Sequence, residues 1–310
     1  MTLQLRAEAQ AKVNLALAVT GRRDDGYHTL RSVFLRLALH DTLEADTDES
    51  ADSDRLFIDG EPVTAGPENL VLRAAALLRE LIGGPLPALR FHLTKRIPAA
   101  AGLGGGSSDG AAALDLAAAA WGLRLHPSAR LETALRLGAD VPFFSAGHAA
   151  ALVHGIGEGL QTLPAPDPVA GILLITPAER LGTASVFEEY DRQPATSAVA
   201  TARVDDLAGL LHESIDGLTL AATAPMLGDG NDLWAPAARL SPALTEARAA
   251  AGAVLGHTML LTGSGPTLFA IYPSEGAAAR AAEQLREQAL PELLGATISA
   301  TATVREGEER

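Results

Sequence analysis

Glycine and serine crowd into one stretch, Pro98-Ala99-Ala100-Ala101-Gly102-Leu103-Gly104-Gly105-Gly106-Ser107-Ser108-Asp109-Gly110. Glycine has no Cβ, so successive N–H groups can turn toward a single point. A helix that starts behind such a loop adds roughly half a positive charge at its N-terminus. The chemistry this suits is phosphate capture. Ser107 and Ser108 would offer hydroxyls to phosphate or Mg²⁺, and they could also cap a helix beginning at Asp109. A tight turn that lets a helix pack closely on a strand would use the same glycines, and the bare pattern leaves both readings open.

Lysine usage is a second signal. Among 24 basic residues only Lys12 and Lys95 are lysine, and the rest are arginine. An ammonium is a compact point charge, unlike the planar guanidinium, so two retained lysines can mark places that need one. On composition alone they read equally as surface lysines.

The elements around these residues follow from periodicity. Leu3 to Ala9 and Lys12 to Val19 alternate as two strands, and Leu30 to Leu39 as a third. Gly21 to Gly26 is a charged glycine turn, and Asp46 to Asp54 an acidic, solvated loop. Leu70, Ala74, Leu77, Leu78 and Leu81 keep helical spacing until Gly83-Gly84-Pro85. Leu89 to Lys95 alternates as a half-buried strand that delivers the chain to the glycine-rich loop, and an alanine-rich helix, Ala111 to Trp121, follows. Pro127 to Gly138 reads as a short helix and Ala149 to Val153 as a strand. Later elements are a continuous apolar strand at Ile172 to Ile175, a helix near Ala277 to Ala289, and a last strand at Thr297 to Val304. Strands and helices mix without a βαβ period, which predicts an α+β fold. Pro164, Pro166 and Pro168 suggest a linker, dividing the chain into domains 1–166 and 167–310.

Composition sets the outer bounds. The 310 residues suffice for a substantial core, with 47% apolar and only 4% aromatic residues. A net charge of −14 argues against nucleic acid or an anionic membrane as partner. No apolar run approaches the ~20 residues of a membrane span, and Met1 to Gln10 lacks a signal-peptide profile. With no cysteine there is no disulfide framework or thiolate site, and the cytoplasm is the expected compartment. The eight histidines show no metal-ligand spacing.

Familiar nucleotide motifs do not explain the loop. A Walker A sequence needs lysine after its last glycine, but Ser107 follows Gly106. The dinucleotide fingerprint needs a third glycine where Asp109 or Ser107 stands, and the protein-kinase loop fails the same spacing.

Pro98 to Ser108 instead resembles the phosphate-binding motif of the small-molecule kinases that include galactokinase, homoserine kinase and mevalonate kinase. Four further stretches are similar to the 4-diphosphocytidyl-2-C-methyl-D-erythritol kinase family within that superfamily. They are Ala11-Lys12-Val13-Asn14-Leu15, Gly21 to His28, Gly138-Ala139-Asp140-Val141-Pro142-Phe143-Phe144, and Thr262-Gly263-Ser264-Gly265-Pro266-Thr267. These matches run in order over most of the chain.

The resemblance implies a two-domain fold with the active site in the interdomain cleft, ATP as co-substrate with Mg²⁺, and a cytidine diphosphate-linked polyol as the other substrate. It implies Asp140 as general base and Lys12 beside it, keeping the base ionised and stabilising negative charge. Alone, Asp140 reads as a turn aspartate and Lys12 as a solvated edge lysine. Pro98 through Ser108 would bind ATP together with Lys95, and Asn69 would meet its base or ribose. Asn14 would hold the substrate, Tyr27 would stack on the cytosine and His28 would hydrogen-bond its edge. Phe187 would close the other face, although spacing equally allows it a core role. Packing alone would make Tyr27 the lid of a local core. Rivals are a homoserine or mevalonate kinase, against which Tyr27-His28 speaks, and a nucleotide-binding sensor, which would not need Lys12 and Asp140 together.

Overall fold

The computed structural model describes residues 5–63, 69–192 and 198–307. Two long antiparallel strands, β1 (Leu5–Arg22) and β2 (His28–Asp48), form its spine. The two strands expected at Leu3 to Ala9 and Lys12 to Val19 are one strand, and Leu3 and Gln4 lie outside the described residues. What separates them is a register shift between Gln10 and Lys12, with another between Asn14 and Ala16. Such bulges add a residue to one strand and re-aim its side chains without ending it.

The first half continues with β3 (Arg55–Ile58), β4 (Glu61–Pro62), α1 (Leu70–Ile82), β5 (Ala88–Thr94) and α2 (Gly105–Ala120). Then come α3 (Pro127–Leu137), α4 (Val141–Ser145), β6 (Ala150–Gly155) and β7 (Gly159–Leu163). Its sheet runs β4-β3-β5-β2-β6-β7, with β1 also paired to β2. The second half holds β8 (Gly171–Thr176), α5 (Thr183–Arg192), α6 (Ala198–His212), α7 (Gly217–Thr223), α8 (Trp234–Leu240) and α9 (Pro242–Leu255). It ends with β9 (Leu260–Leu261), β10 (Leu268–Tyr272), α10 (Glu275–Gln288) and β11 (Thr297–Ala302), and its sheet runs β11-β8-β10-β9.

The α2 helix begins six residues before the expected Ala111. Gly104, with a left-handed φ of 72°, takes the N-cap position, and no side chain caps the helix. Ser107 and Ser108 therefore lie within the first turns and do not cap it. Only a residue without a Cβ enters this backbone geometry at little cost.

The chain changes sheets between Leu163 and Gly171. That proline-rich stretch is anchored: Asp167 N donates to Ile215 O, and Gly217 N donates to Pro168 O. One hydrophobic cluster joins the halves, combining Val13, Leu35 and Leu37 with Val204, Leu207 and Phe269. Because α2 and α6 both pack on β1, that strand is buried without a break from Ala11 to Val19. Among the described residues no helix is long and apolar enough to cross a membrane.

Candidate active site

The bulge before Lys12 turns its side chain into a cavity of about 420 Å³ between the two halves. The side chain is only 4% exposed, so its charge must be met locally. Nζ lies 2.6 Å from Asn14 Oδ1, 3.2 Å from Gly102 O and 3.4 Å from Asp140 Oδ2, above the ring of Phe34. Those three acceptors match the three hydrogens of an ammonium.

Asp140 stands at the N-cap of the five-residue α4 but makes no capping hydrogen bond, so its carboxylate is not committed to the helix. Val141, Phe143 and Phe144 are buried behind it. Arg36 on β2 donates to the carbonyls of Phe143, Phe144 and His148, tying down the far end of this helix. A rigid backbone thus presents a carboxylate that remains about a third exposed.

Asn14 is fixed on every side. Its Nδ2 donates to Ser32 Oγ, its backbone N–H to Thr262 Oγ1, and Thr262 in turn donates to Gly102 O. The glycine-rich loop and the turn Thr262-Gly263-Ser264-Gly265 meet almost backbone to backbone. At Gly102, with φ of 76°, an added Cβ would fall 2.5 Å from Thr262 O and 3.0 Å from Gly265 O. No other residue type fits that contact without moving one loop.

Lys95 reaches the cavity from the end of β5 and is clamped by two carboxylates. Its Nζ donates to Asp41 Oδ2 and, at 2.8 Å, to Asp109 Oδ2. Asp41 is fully buried and accepts the N–H groups of Arg96 and Ile97 as well. Burial opposes the charge on Lys95, but Asp109 and Asp41 together outweigh it and hold its pKa above the ordinary value. Burial drives the Asp109 carboxyl the other way from its pairing, up to about 7, with Lys95 offsetting only part of the rise. Its Oδ1 has no hydrogen-bond partner among the described residues, which makes the ionised form costly.

A second cavity of about 440 Å³ adjoins the first and shares Leu30, Thr183 and Phe187 with it. It is walled by Tyr27, His28 and Asp191. Tyr27 is 63% exposed, which removes the reading of it as the lid of a local core. The His28 ring stacks on Phe187 at 4.7 Å, so one face of Phe187 is already covered.

The structure brings Lys12, Asn14, Lys95, Asp140, Phe187 and Pro98 through Ser107 to the first cavity. Ser108 is buried and faces a separate hollow on the far side of α2. Asn69 caps α1 by accepting from Val71 N, and neighbouring Leu70, not Asn69, lines the cavity. Sequence reasoning passed over Thr183 and Asp191. Thr183 Oγ1 and Ser264 Oγ lie 3.1 Å apart across the cavity wall. Thr183, Phe187 and Asp191 recur at every fourth position, a helical stripe that the sequence does display. Among the described residues no cluster of three metal-ligating side chains is present.

A buried ammonium paired with an uncommitted carboxylate, facing a glycine loop at a helix N-terminus, is the equipment of phosphoryl transfer to an alcohol. Residues 69–148 match the family model of the GHMP kinases N terminal domain, and residues 207–290 match that of the GHMP kinases C terminal. The protein is a small-molecule kinase of the GHMP class.

A 4-diphosphocytidyl-2-C-methyl-D-erythritol kinase of Methylobacterium radiotolerans is 41% identical over 294 residues, covering 92% of this chain and 95% of its own. One from Moorella thermoacetica is 37% identical, covering 91% and 95%. A crystal structure of 4-(cytidine 5'-diphospho)-2C-methyl-D-erythritol kinase superposes with a TM-score of 0.70 at 33% identity, covering 96% of this chain and 98% of that one. The chain belongs to the 4-diphosphocytidyl-2-C-methyl-D-erythritol kinase family.

Proposed function

We propose that the protein transfers the γ-phosphate of ATP to the 2-hydroxyl of 4-diphosphocytidyl-2-C-methyl-D-erythritol, giving the 2-phosphate and ADP. This is a step of non-mevalonate isoprenoid precursor synthesis, carried out in the cytoplasm. The observation that carries the reading is the Lys12–Asp140 pair in the cavity floored by the glycine loop, which adjoins a second cavity walled by Tyr27, His28 and Phe187.

In this reading Asp140 takes the hydroxyl proton as the alcohol oxygen bonds to the γ-phosphorus. The bond from that phosphorus to the β–γ bridging oxygen breaks, and ADP leaves. Lys12 holds the carboxylate ionised and offsets the charge that gathers on the moving phosphoryl group. Asn14 orients Lys12 and the hydroxyl. Pro98 through Ser107 and Lys95 hold the triphosphate, with Ser108 and Asn69 supporting this wall from behind. Mg²⁺ would arrive with ATP as part of the co-substrate and would neutralise charge on the phosphates, with Ser107 the loop hydroxyl placed to approach it. Tyr27 stacks on the cytosine, with His28 at its edge and Phe187 behind His28. The chain divides near Asp167 into domains 1–166 and 167–310, a division supported by the change of sheet there.

The test is an ADP-release assay that offers the cytidyl alcohol, mevalonate and homoserine side by side. Turnover confined to the cytidyl compound is expected. Turnover of another alcohol with the cytidyl compound inert would refute the reading.

A further inference from the structure

The second cavity contains a carboxylate that phosphoryl transfer does not use. Asp191 lies one helical turn beyond Phe187 on α5. Its Oδ1 is 2.7 Å from His28 Nε2, and its Oδ2 is 3.1 Å from Arg22 Nη1. Held at both oxygens, the carboxylate cannot turn away from the ring. The imidazole is held as well: Phe187 stacks on its face and Tyr190 meets it edge-on with centroids 6.1 Å apart. His28 Nδ1 has no hydrogen-bond partner among the described residues.

An ionised carboxylate can only accept a hydrogen bond. The hydrogen of a neutral imidazole is therefore pinned to Nε2, and Nδ1 keeps its lone pair. Which ring nitrogen carries the hydrogen is set by the partner of the other nitrogen, so one fixed contact decides what the free nitrogen recognises.

We infer that Asp191 is a positioning residue that sets base specificity: by pinning the hydrogen of His28 to Nε2 it presents Nδ1 as an acceptor for the exocyclic amine of cytosine and refuses uracil. Uracil carries a carbonyl where cytosine carries that amine, so its lone pairs would face the lone pair of Nδ1. A site built around a hydrogen bond discriminates strongly against a partner that leaves its polar group unpaired. The inference rests on the proposed function, which places the nucleobase in this cavity.

The experiment compares kcat/KM for the cytidyl alcohol and its uridyl analogue in wild type and Asp191→Asn, at about pH 8. An amide can donate as well as accept, so it no longer enforces one tautomer. The expected result is a fall in the cytidyl-to-uridyl ratio of about tenfold or more, with KM for ATP unchanged. A proportional loss for both substrates, leaving the ratio intact, would mean that Asp191 merely supports the fold and would overturn the inference. If wild type turned over neither substrate, the proposed function itself would fall. Nitrogen-15 NMR of His28 in the wild-type protein gives a reading independent of the variant's folding. A protonated Nε2 with a bare Nδ1 is expected, and the opposite tautomer would overturn the proposal.

Discussion

Lys12 Nζ stands 3.4 Å from Asp140 Oδ2, with the ammonium buried and the carboxylate about a third exposed. In the proposed reaction the asymmetry separates their duties: the cation locked among Asn14, Gly102 and Asp140 would serve as a fixed charge, while the carboxylate, open on one side, would receive the substrate hydroxyl. The strand bulge before Lys12 and the uncapped start of α4 create that difference.

Asp140→Asn preserves shape and removes the proton acceptor. Its kcat should fall by roughly 10²–10⁴ while nucleotide affinity is retained. Steady-state kinetics combined with ATP-binding calorimetry checks this, and undiminished turnover would remove Asp140 as the base.

Gly102→Ala should loosen the contact between the glycine loop and the turn at Thr262. The new Cβ would meet Thr262 O at 2.5 Å, in a backbone conformation that already disfavours it. A stability loss on the order of 1–3 kcal/mol is expected, with a raised KM for ATP. Denaturant titration and kinetics that match wild type would show that this loop junction does not matter.

Asp109 makes stability depend on pH. Its folded pKa, about 7, lies above the unfolded value of 3.8, so the native state binds the extra proton between those limits. Its contribution is present in full below the unfolded value and is lost as pH rises toward 7. Asp109→Asn, which stays neutral throughout, should gain on wild type by on the order of 1 kcal/mol or more between about pH 5 and 8. Parallel stability curves for the two proteins would contradict this.

Tyr27→Ala should weaken the cytidyl substrate selectively. Stacking on a base contributes roughly 1–3 kcal/mol, and the exposed ring has little packing to lose. Substrate and ATP titrations check the difference, and equal losses for both ligands would count against stacking.

Local patterns in the sequence carried much of this architecture. The spacing of Leu70, Leu77 and Leu78 marks a helix that ends at Gly83, and the alternation from Leu89 to Lys95 marks β5. The bulge before Lys12 was legible only as a break between two strands, because alternation lapses there and resumes, and whether pairing continues across the lapse is set by β2. The early start of α2 was not legible, since Gly105 and Gly106 are poor helix formers held by tertiary contacts. Pairings between distant residues leave no local trace: Asp41 with Lys95 and Asp191 with His28 depend on how strands and helices come together.

The most direct test of the central claim follows a label on the γ-phosphate of ATP through one turnover with the cytidyl alcohol. The account expects the label in a monoester on the 2-hydroxyl, with one ADP formed for each ester. Label released only as inorganic phosphate, or esterified at a different hydroxyl, would contradict it.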